Sequence, residues 1–181
     1  MEEPFRQYQK KLFENYYGTL IKVGFRYAGT YEQAVEMTHH GFIGIFNEMT
    51  RLKISLEAKF DGSLSAWVKR IFVIALVDKI KSQPNLHIQR PIPGDLWQQP
   101  GNLENLECES IYYIELIKIL KGLPVRGRLV FNLHVIDGFS HAEIAEMLGI
   151  TVKDSIYSLL EAKKYCYELA EGIPIFPQPK G

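Results

Sequence analysis

The distribution of proline most constrains the fold of this chain of 181 residues. Four prolines fall within residues 84–100, and none lies between Pro4 and Pro84. Proline removes a backbone hydrogen-bond donor and disfavours the helical conformation of the residue before it. Residues 83–106 therefore read as a linker, which is longer than most connections within one compact domain. We expect two small domains, one on each side of it.

The first block carries three helical patterns. Apolar residues recur three and four positions apart in residues 5–27, 34–52 and 64–80, as they do along one face of a helix. Ser63 is a candidate N-cap of the third pattern. No alternation typical of a β-strand occurs in this block. Three amphipathic helices bury their apolar faces against one another, so residues 1–82 predict a three-helix bundle.

The second block, residues 107–171, shows the same periodicity in shorter segments, and residues 172–181 form a proline-containing tail. The predicted helices span residues 111–120, 125–136, 142–148 and 152–170. Pro124 stands where a proline at the first helical position belongs. The whole chain is therefore expected to be all-α, with a four-helix domain after the linker.

The most specific local motif is Phe-Ser-His-Ala-Glu-Ile-Ala-Glu-Met-Leu-Gly-Ile-Thr at residues 139–151. Ser140 and Glu143 have the spacing of a capping box. Gly149 ends this short helix, and Thr151 caps the next one. These parts predict a helix-turn-helix, whose second helix lies in the major groove of DNA. A tight helical hairpin without a DNA-binding role is the alternative interpretation.

Motifs in both blocks have a familiar order and spacing. In the second block they are Leu123-Pro124, residues 128–133, 137–140, 143–145 and 148–150; in the first they are Ala34, Phe42, residues 66–68, Arg70-Ile71 and Asp78. Through these residues, the block order and the linker, the sequence resembles bacterial RNA polymerase sigma factors of the extracytoplasmic-function type over nearly its whole length.

The resemblance implies that the first domain binds core RNA polymerase and melts the minus-ten element of promoter DNA, whereas the last domain reads the minus-thirty-five element. The polymerase-binding residues would be Glu36, His39, His40, Phe42, Ile45 and Phe46. The minus-ten residues would be Trp67, Lys69, Arg70, Asp78, Lys79 and Lys81. The recognition-helix residues would be Thr151, Lys153, Asp154, Ser155, Ile156, Tyr157 and Lys163. An anti-sigma factor is a further implied partner, and no cofactor is implied.

The sequence departs from the family pattern at several DNA-facing or polymerase-facing positions. His39 and His40 replace a Gln-Glu pair, and Ile74 replaces an asparagine. In the recognition helix, Asp154 and Glu161 bring negative charge towards the phosphates. Ile156 and Tyr157 stand where polar residues are expected. These changes favour a sigma factor that a separate DNA-bound partner brings to its promoter. The alternative is a sigma-like protein-interaction module that does not read promoter DNA; a one-component repressor would leave the first block unexplained.

Charge is distributed unevenly although 21 basic side chains balance 21 acidic ones. Residues 1–83 hold twelve basic and nine acidic side chains, residues 84–118 hold two and five, and residues 119–181 hold seven of each. Affinity for DNA increases with the number of phosphates that are neutralised. We therefore expect the chain to bind DNA mainly within a larger complex that supplies much of the affinity.

Several classes of protein and site are disfavoured. The sequence has no glycine-rich phosphate loop and no H-E-x-x-H motif, so we expect no enzyme. Glu36, His39 and His40 share a helix face, but no further ligand suggests a metal site. Cys108 and Cys166 are expected to be reduced thiols in a cytoplasmic protein without a membrane span. Trp67 is either a wedge at the DNA or a core residue.

Overall fold

The computed structural model describes residues 2–52, 63–82 and 111–170, and all regular secondary structure within them is helical. The elements are α1 (Glu2–Tyr27), α2 (Tyr31–Arg51), α3 (Leu64–Ser82), α4 (Ile111–Gly122), α5 (Val125–Phe131), a π-helical turn (Asn132–Ile136), α6 (His141–Leu148) and α7 (Val152–Ala170). The predicted all-α class is confirmed. None of these described helices combines the length and apolar character that crossing a membrane requires.

The chain divides into two compact units, Met1–Ser82 and Gln83–Gly181. The division falls where the sequence predicts the first domain to end. The predicted linker at 83–106, the predicted tail at 172–181 and Cys108 lie outside the described residues. Their limits and roles therefore stay predictions.

In the first unit, α2 packs against both α1 and α3. The ring of Phe42 lies at the centre of this packing, with the rings of Phe13 and Phe72 at centroid distances of 4.6 Å and 6.4 Å. Phe42 and Ile45 are almost fully buried. An aromatic and aliphatic core of this kind holds the three helices as the bundle that the periodicity predicts.

Gly41 sets how closely α2 approaches α3. A Cβ atom at this position would overlap the ring of Phe72, which is itself fully buried. Glycine normally destabilises a helix interior by about 0.5–1 kcal/mol relative to alanine. Here that cost is offset by the close packing of the two helices.

In the second unit, α7 packs against α5 and α6. Leu120, Leu123 and Ala162 form a buried apolar cluster, and the side chain of Cys166 lies against it. Burial raises the pKa of the Cys166 thiol to about 11. The thiol is therefore protonated at neutral pH and contributes to packing.

The predicted single helix at 125–136 is regular only as far as Phe131. The amide of Asp137 donates to the carbonyl of Asn132 at 2.9 Å, which closes a π turn one residue wider than an α turn. The prediction for Pro124 was wrong by one residue. Pro124 has a backbone ψ of 143°, so it precedes the first helical residue rather than occupying that position.

We expect Gly41→Ala to destabilise the first unit by about 1–3 kcal/mol, because the new methyl group must displace a buried ring. Gly18→Ala is the matched control, since a Cβ at Gly18 meets nothing within 4 Å. The control should stabilise α1 by up to about 1 kcal/mol. Urea unfolding followed by Trp67 fluorescence in a Trp97→Phe background measures both changes. Equal stability of the two variants would contradict the close approach of α2 and α3.

Candidate functional site

Residues 140–150 form a capped helix followed by a tight turn. The hydroxyl of Ser140 accepts from the amide of Glu143 at 3.3 Å, and the Glu143 carboxylate accepts from the amide of Ser140 at 2.8 Å. Gly149 adopts a left-handed φ of 67°, and the amide of Ile150 donates to the carbonyl of Ala145. This is a Schellman motif, in which glycine avoids the Cβ clash of that conformation. The predicted capping box and glycine turn are confirmed.

Helix α7 begins with a second reciprocal box. The hydroxyl oxygen of Thr151 accepts from the amide of Asp154 at 3.0 Å, and the Asp154 carboxylate accepts from the amide and hydroxyl of Thr151 at 3.2 Å and 2.7 Å. These hydrogen bonds hold the pKa of Asp154 below its ordinary value. The Asp154 carboxylate therefore occupies the N-terminal end of α7. The helix dipole and the unpaired amides of a helix N-terminus would otherwise favour a phosphate at that end.

The predicted recognition residues divide between the two sides of α7. Ser155 is fully buried and its hydroxyl lies 2.9 Å from Nδ1 of His141 on α6. It therefore joins the two helices and is not accessible to a base. Ile156 and Tyr157 are exposed, at 42% and 64% of their surface. Exposed side chains of this group also include Thr151, Lys153, Asp154 and Lys163.

Two histidines that were not predicted as site residues stack where the π turn meets α6. The rings of His134 and His141 are 4.2 Å apart between centroids and inclined by 16°. Nδ1 of His134 lies 2.8 Å from the carbonyl of Phe139, which accepts from it when that nitrogen carries the proton. Burial, His134 and Lys163 each lower the pKa of His141. The neutral form of His141 is therefore favoured.

The exposed side of α7, the predicted recognition helix, carries several large apolar side chains. Its exposed large apolar side chains are Val152, Ile156, Tyr157, Leu160 and Tyr167. Only Ile156 and Tyr157 among them were predicted as site residues, although Val152, Ile156 and Leu160 are spaced four apart in the sequence. The exposed surface of α7 thus combines aliphatic side chains with three lysines, Lys153, Lys163 and Lys164.

In the first unit, the predicted polymerase-binding residues on α2 also divide by burial. Glu36 and His39 are exposed, and His40 and Phe46 are half-buried. Phe42 and Ile45 have exposures of 1% and 0%, so they support the helix from the core and offer no surface to a partner. Ile43, which was not predicted as a site residue, is 55% exposed on the same helix.

The predicted minus-ten residues lie along α3. Arg70, Asp78 and Lys81 are exposed, and Lys69, Lys79 and Trp67 are half-buried. Nζ of Lys79 lies 2.9 Å from Oε1 of Glu36, so an ion pair joins the two predicted interfaces.

The described residues contain no cluster of three or more His, Cys, Asp or Glu side chains that could hold a metal ion. Glu36, His39 and His40 are therefore not brought together as ligands. Glu36 instead forms an ion pair with Lys79. The centroid of the His39 ring lies 6.2 Å from that of the Tyr17 ring.

Comparison with known proteins finds matches to sigma factors. Residues 113–166 match the family model described as Sigma-70, region 4. The ECF RNA polymerase sigma factor SigE of Mycolicibacterium smegmatis is 24% identical over 144 residues, which cover 76% of this chain and 53% of that protein. The chain thus spans about half the length of the curated relative it matches. The predicted resemblance to sigma factors of the extracytoplasmic-function type is confirmed.

The lowered pKa of His141 predicts that the second unit loses stability in mild acid. Because folded His141 binds a proton less readily than unfolded His141, stability present above the ordinary pKa of about 6.5 is lost as the pH falls below it. His141→Gln keeps a polar group near Ser155 but cannot titrate. Urea unfolding at pH values between about 7.5 and 5.5 should show a smaller decline for this variant than for the wild type. An identical loss of stability in the wild type and the variant would contradict a lowered pKa of His141.

Proposed function

We propose that the chain is a sigma factor that binds core RNA polymerase and directs promoter-dependent transcription initiation in the cytoplasm. The observation that carries this proposal is the doubly capped helix-turn-helix within the segment that matches Sigma-70, region 4. A second, separate three-helix unit precedes it, as the extracytoplasmic-function resemblance requires. Such a factor performs no covalent chemistry of its own.

The first unit would supply the polymerase and minus-ten contacts. Helix α2 presents Glu36, His39 and Ile43 to solvent, and these side chains form a mixed polar and apolar surface. Helix α3 presents Arg70 and Lys81 on an exposed surface. The cations suit phosphate contacts, whereas Ile74 has no group that can hydrogen-bond a base.

The second unit would read promoter DNA weakly. Ser155 is committed to His141, and the Asp154 carboxylate occupies the end of α7. Ile156 can offer a base edge only apolar contact, which recognises little beyond the thymine methyl group. We therefore propose that a separate DNA-bound partner recruits the factor to its promoters. An anti-sigma factor would control its release.

A sigma-like protein-interaction module is the second candidate. The apolar exposed side of α7 favours it, because aliphatic side chains are common at protein interfaces and contribute little to reading DNA. This candidate predicts no promoter-directed initiation under any condition, even when the partner is present.

Transcription from a linear template with purified core polymerase separates these functions. We expect the full chain to bind the core enzyme, to initiate weakly by itself and to initiate strongly when the DNA-bound partner is added. Strong, sequence-specific initiation by the chain alone would contradict dependence on a partner. Failure to bind the core enzyme would contradict the sigma-factor proposal in every form.

Ile43→Glu tests the surface of α2. A carboxylate placed on an apolar contact should raise the dissociation constant for core polymerase by about tenfold or more. Leu52→Glu is the matched control, because Leu52 is similarly exposed, at 44%, but lies at the end of the helix. Binding titrations with labelled protein measure both values. Equal affinities for the two variants would place the interface elsewhere.

A further inference from the structure

Three aliphatic side chains form a continuous exposed ridge on α7. Val152, Ile156 and Leu160 are 45%, 42% and 59% exposed. Residues four apart lie on one face of a helix, and eight residues rise by about 12 Å. Tyr167, which is 68% exposed, continues the same face nearer the C-terminal end. We call these four residues the α7 stripe.

The stripe is not the side of α7 that packs on its own unit. Ser155, Leu159 and Ala162 form that side, and each is at most 5% exposed. At about 100° per residue, Ile156, Leu160 and Tyr167 are rotated by about 60° or more from that side, whereas Val152 borders it. A helix with one apolar side in the core and a second in solvent has more apolar surface than its fold uses. Such surface marks an interaction site.

The charges beside the stripe are basic. At the same helical rotation, Lys163 falls within the stripe, and Lys153 and Lys164 fall along one edge of it; all three are exposed. Glu161 and Glu168 fall further round the helix. A partner that covers the stripe therefore meets a row of ammonium groups, and carboxylates flanking an apolar face would complement them.

A groove adjoins this basic edge. It lies between α5 and α7 and has a cavity volume of about 370 Å³. Its lining is mixed in charge and includes Pro124, Arg126, Tyr157, Glu161, Lys164, Tyr165 and Glu168. Tyr157 projects at the border between the groove and the stripe, with 64% of its surface exposed. The groove offers a place for one anchoring side chain of a partner that lies along the stripe.

Protein fits this surface better than DNA does. Three aliphatic side chains in a row would meet mostly polar base edges in the major groove. An apolar ridge with a basic edge is instead the complement of an amphipathic helix that carries acidic side chains.

We infer that the α7 stripe docks an acidic amphipathic helix of the DNA-bound partner, so that the helix placed to read the promoter binds protein instead. This inference rests on the proposed function, because it identifies the surface through which recruitment would occur. The partner helix would carry apolar residues three and four apart, flanked by Asp or Glu.

Two synthetic peptides test the surface with the full-length chain. Both are helical, have about 18 residues and share one leucine face; one is flanked by Glu and the other by Lys. We expect the Glu-flanked peptide to bind about tenfold more tightly by fluorescence anisotropy. The double variant Ile156→Glu, Leu160→Glu should lose that binding. Val135→Glu, which makes the same change at a residue 47% exposed on the π turn, should retain it.

A charge exchange makes the test specific. The triple variant Lys153→Glu, Lys163→Glu, Lys164→Glu should bind the Lys-flanked peptide in preference to the Glu-flanked one. Equal binding of both peptides by the wild type, or an unchanged preference in the triple variant, would overturn the inference. Binding of duplex DNA that the Ile156→Glu, Leu160→Glu variant loses would also overturn it, because DNA would then be the occupant.

Core-polymerase binding, measured on the same preparations, separates the two proposals. If the wild type and the Ile156→Glu, Leu160→Glu variant both bind the core enzyme while neither peptide binds the wild type, only the docking inference fails. If the wild type does not bind the core enzyme, the proposed function fails. The helix that binds the α7 stripe could then not be assigned to a partner in transcription initiation. Circular dichroism of each variant establishes that the exposed substitutions leave the helices intact.

Discussion

Hydrogen bonds at the starts of α6 and α7 fix the geometry on which the second unit depends. Ser140 with Glu143, and Thr151 with Asp154, each satisfy backbone amides that a helix leaves without partners. Between them, Gly149 turns the chain through a conformation that other residues adopt at a cost. These local bonds set the first residue of α7. Because successive residues of a helix are rotated by about 100°, the position of that first residue also sets the direction of Ser155, which is buried, and of Ile156, which is exposed.

The first unit combines its core and its proposed surfaces on the same helices. Helix α2 contributes Phe42 to the core and presents His39 and Ile43 to solvent. Helix α3 packs so closely that Gly41 meets Phe72 without a Cβ between them. The Glu36–Lys79 ion pair then joins the outer edges of the two helices. A solvent-accessible pair of this kind adds little stability, but it fixes the positions of two charged groups at once.

The sequence predicted those features that depend on neighbours within one helical turn. The Ser140 box and the Thr151 cap join residues three apart, and periodicity alone identified the helices. Contacts between helices were not predictable in this way. Ser155 meets His141 from fourteen residues away, so its sequence context suggested a DNA-facing serine. Phe42 and Ile45 were assigned to a surface because a motif fixes identity but not the rotation of a helix about its axis.

The π turn at 132–136 has a consequence for how this chain tolerates changes in length. It holds one residue more than the α turn that it replaces, and it brings the Phe139 carbonyl to His134. Because the extra residue is held within this one turn, deleting one residue here would restore regular α winding without rotating α5 against α7. The cost would be local, at the contact between His134 and the Phe139 carbonyl. The π turn is thus a place where the second unit can lose one residue and keep the packing of its helices.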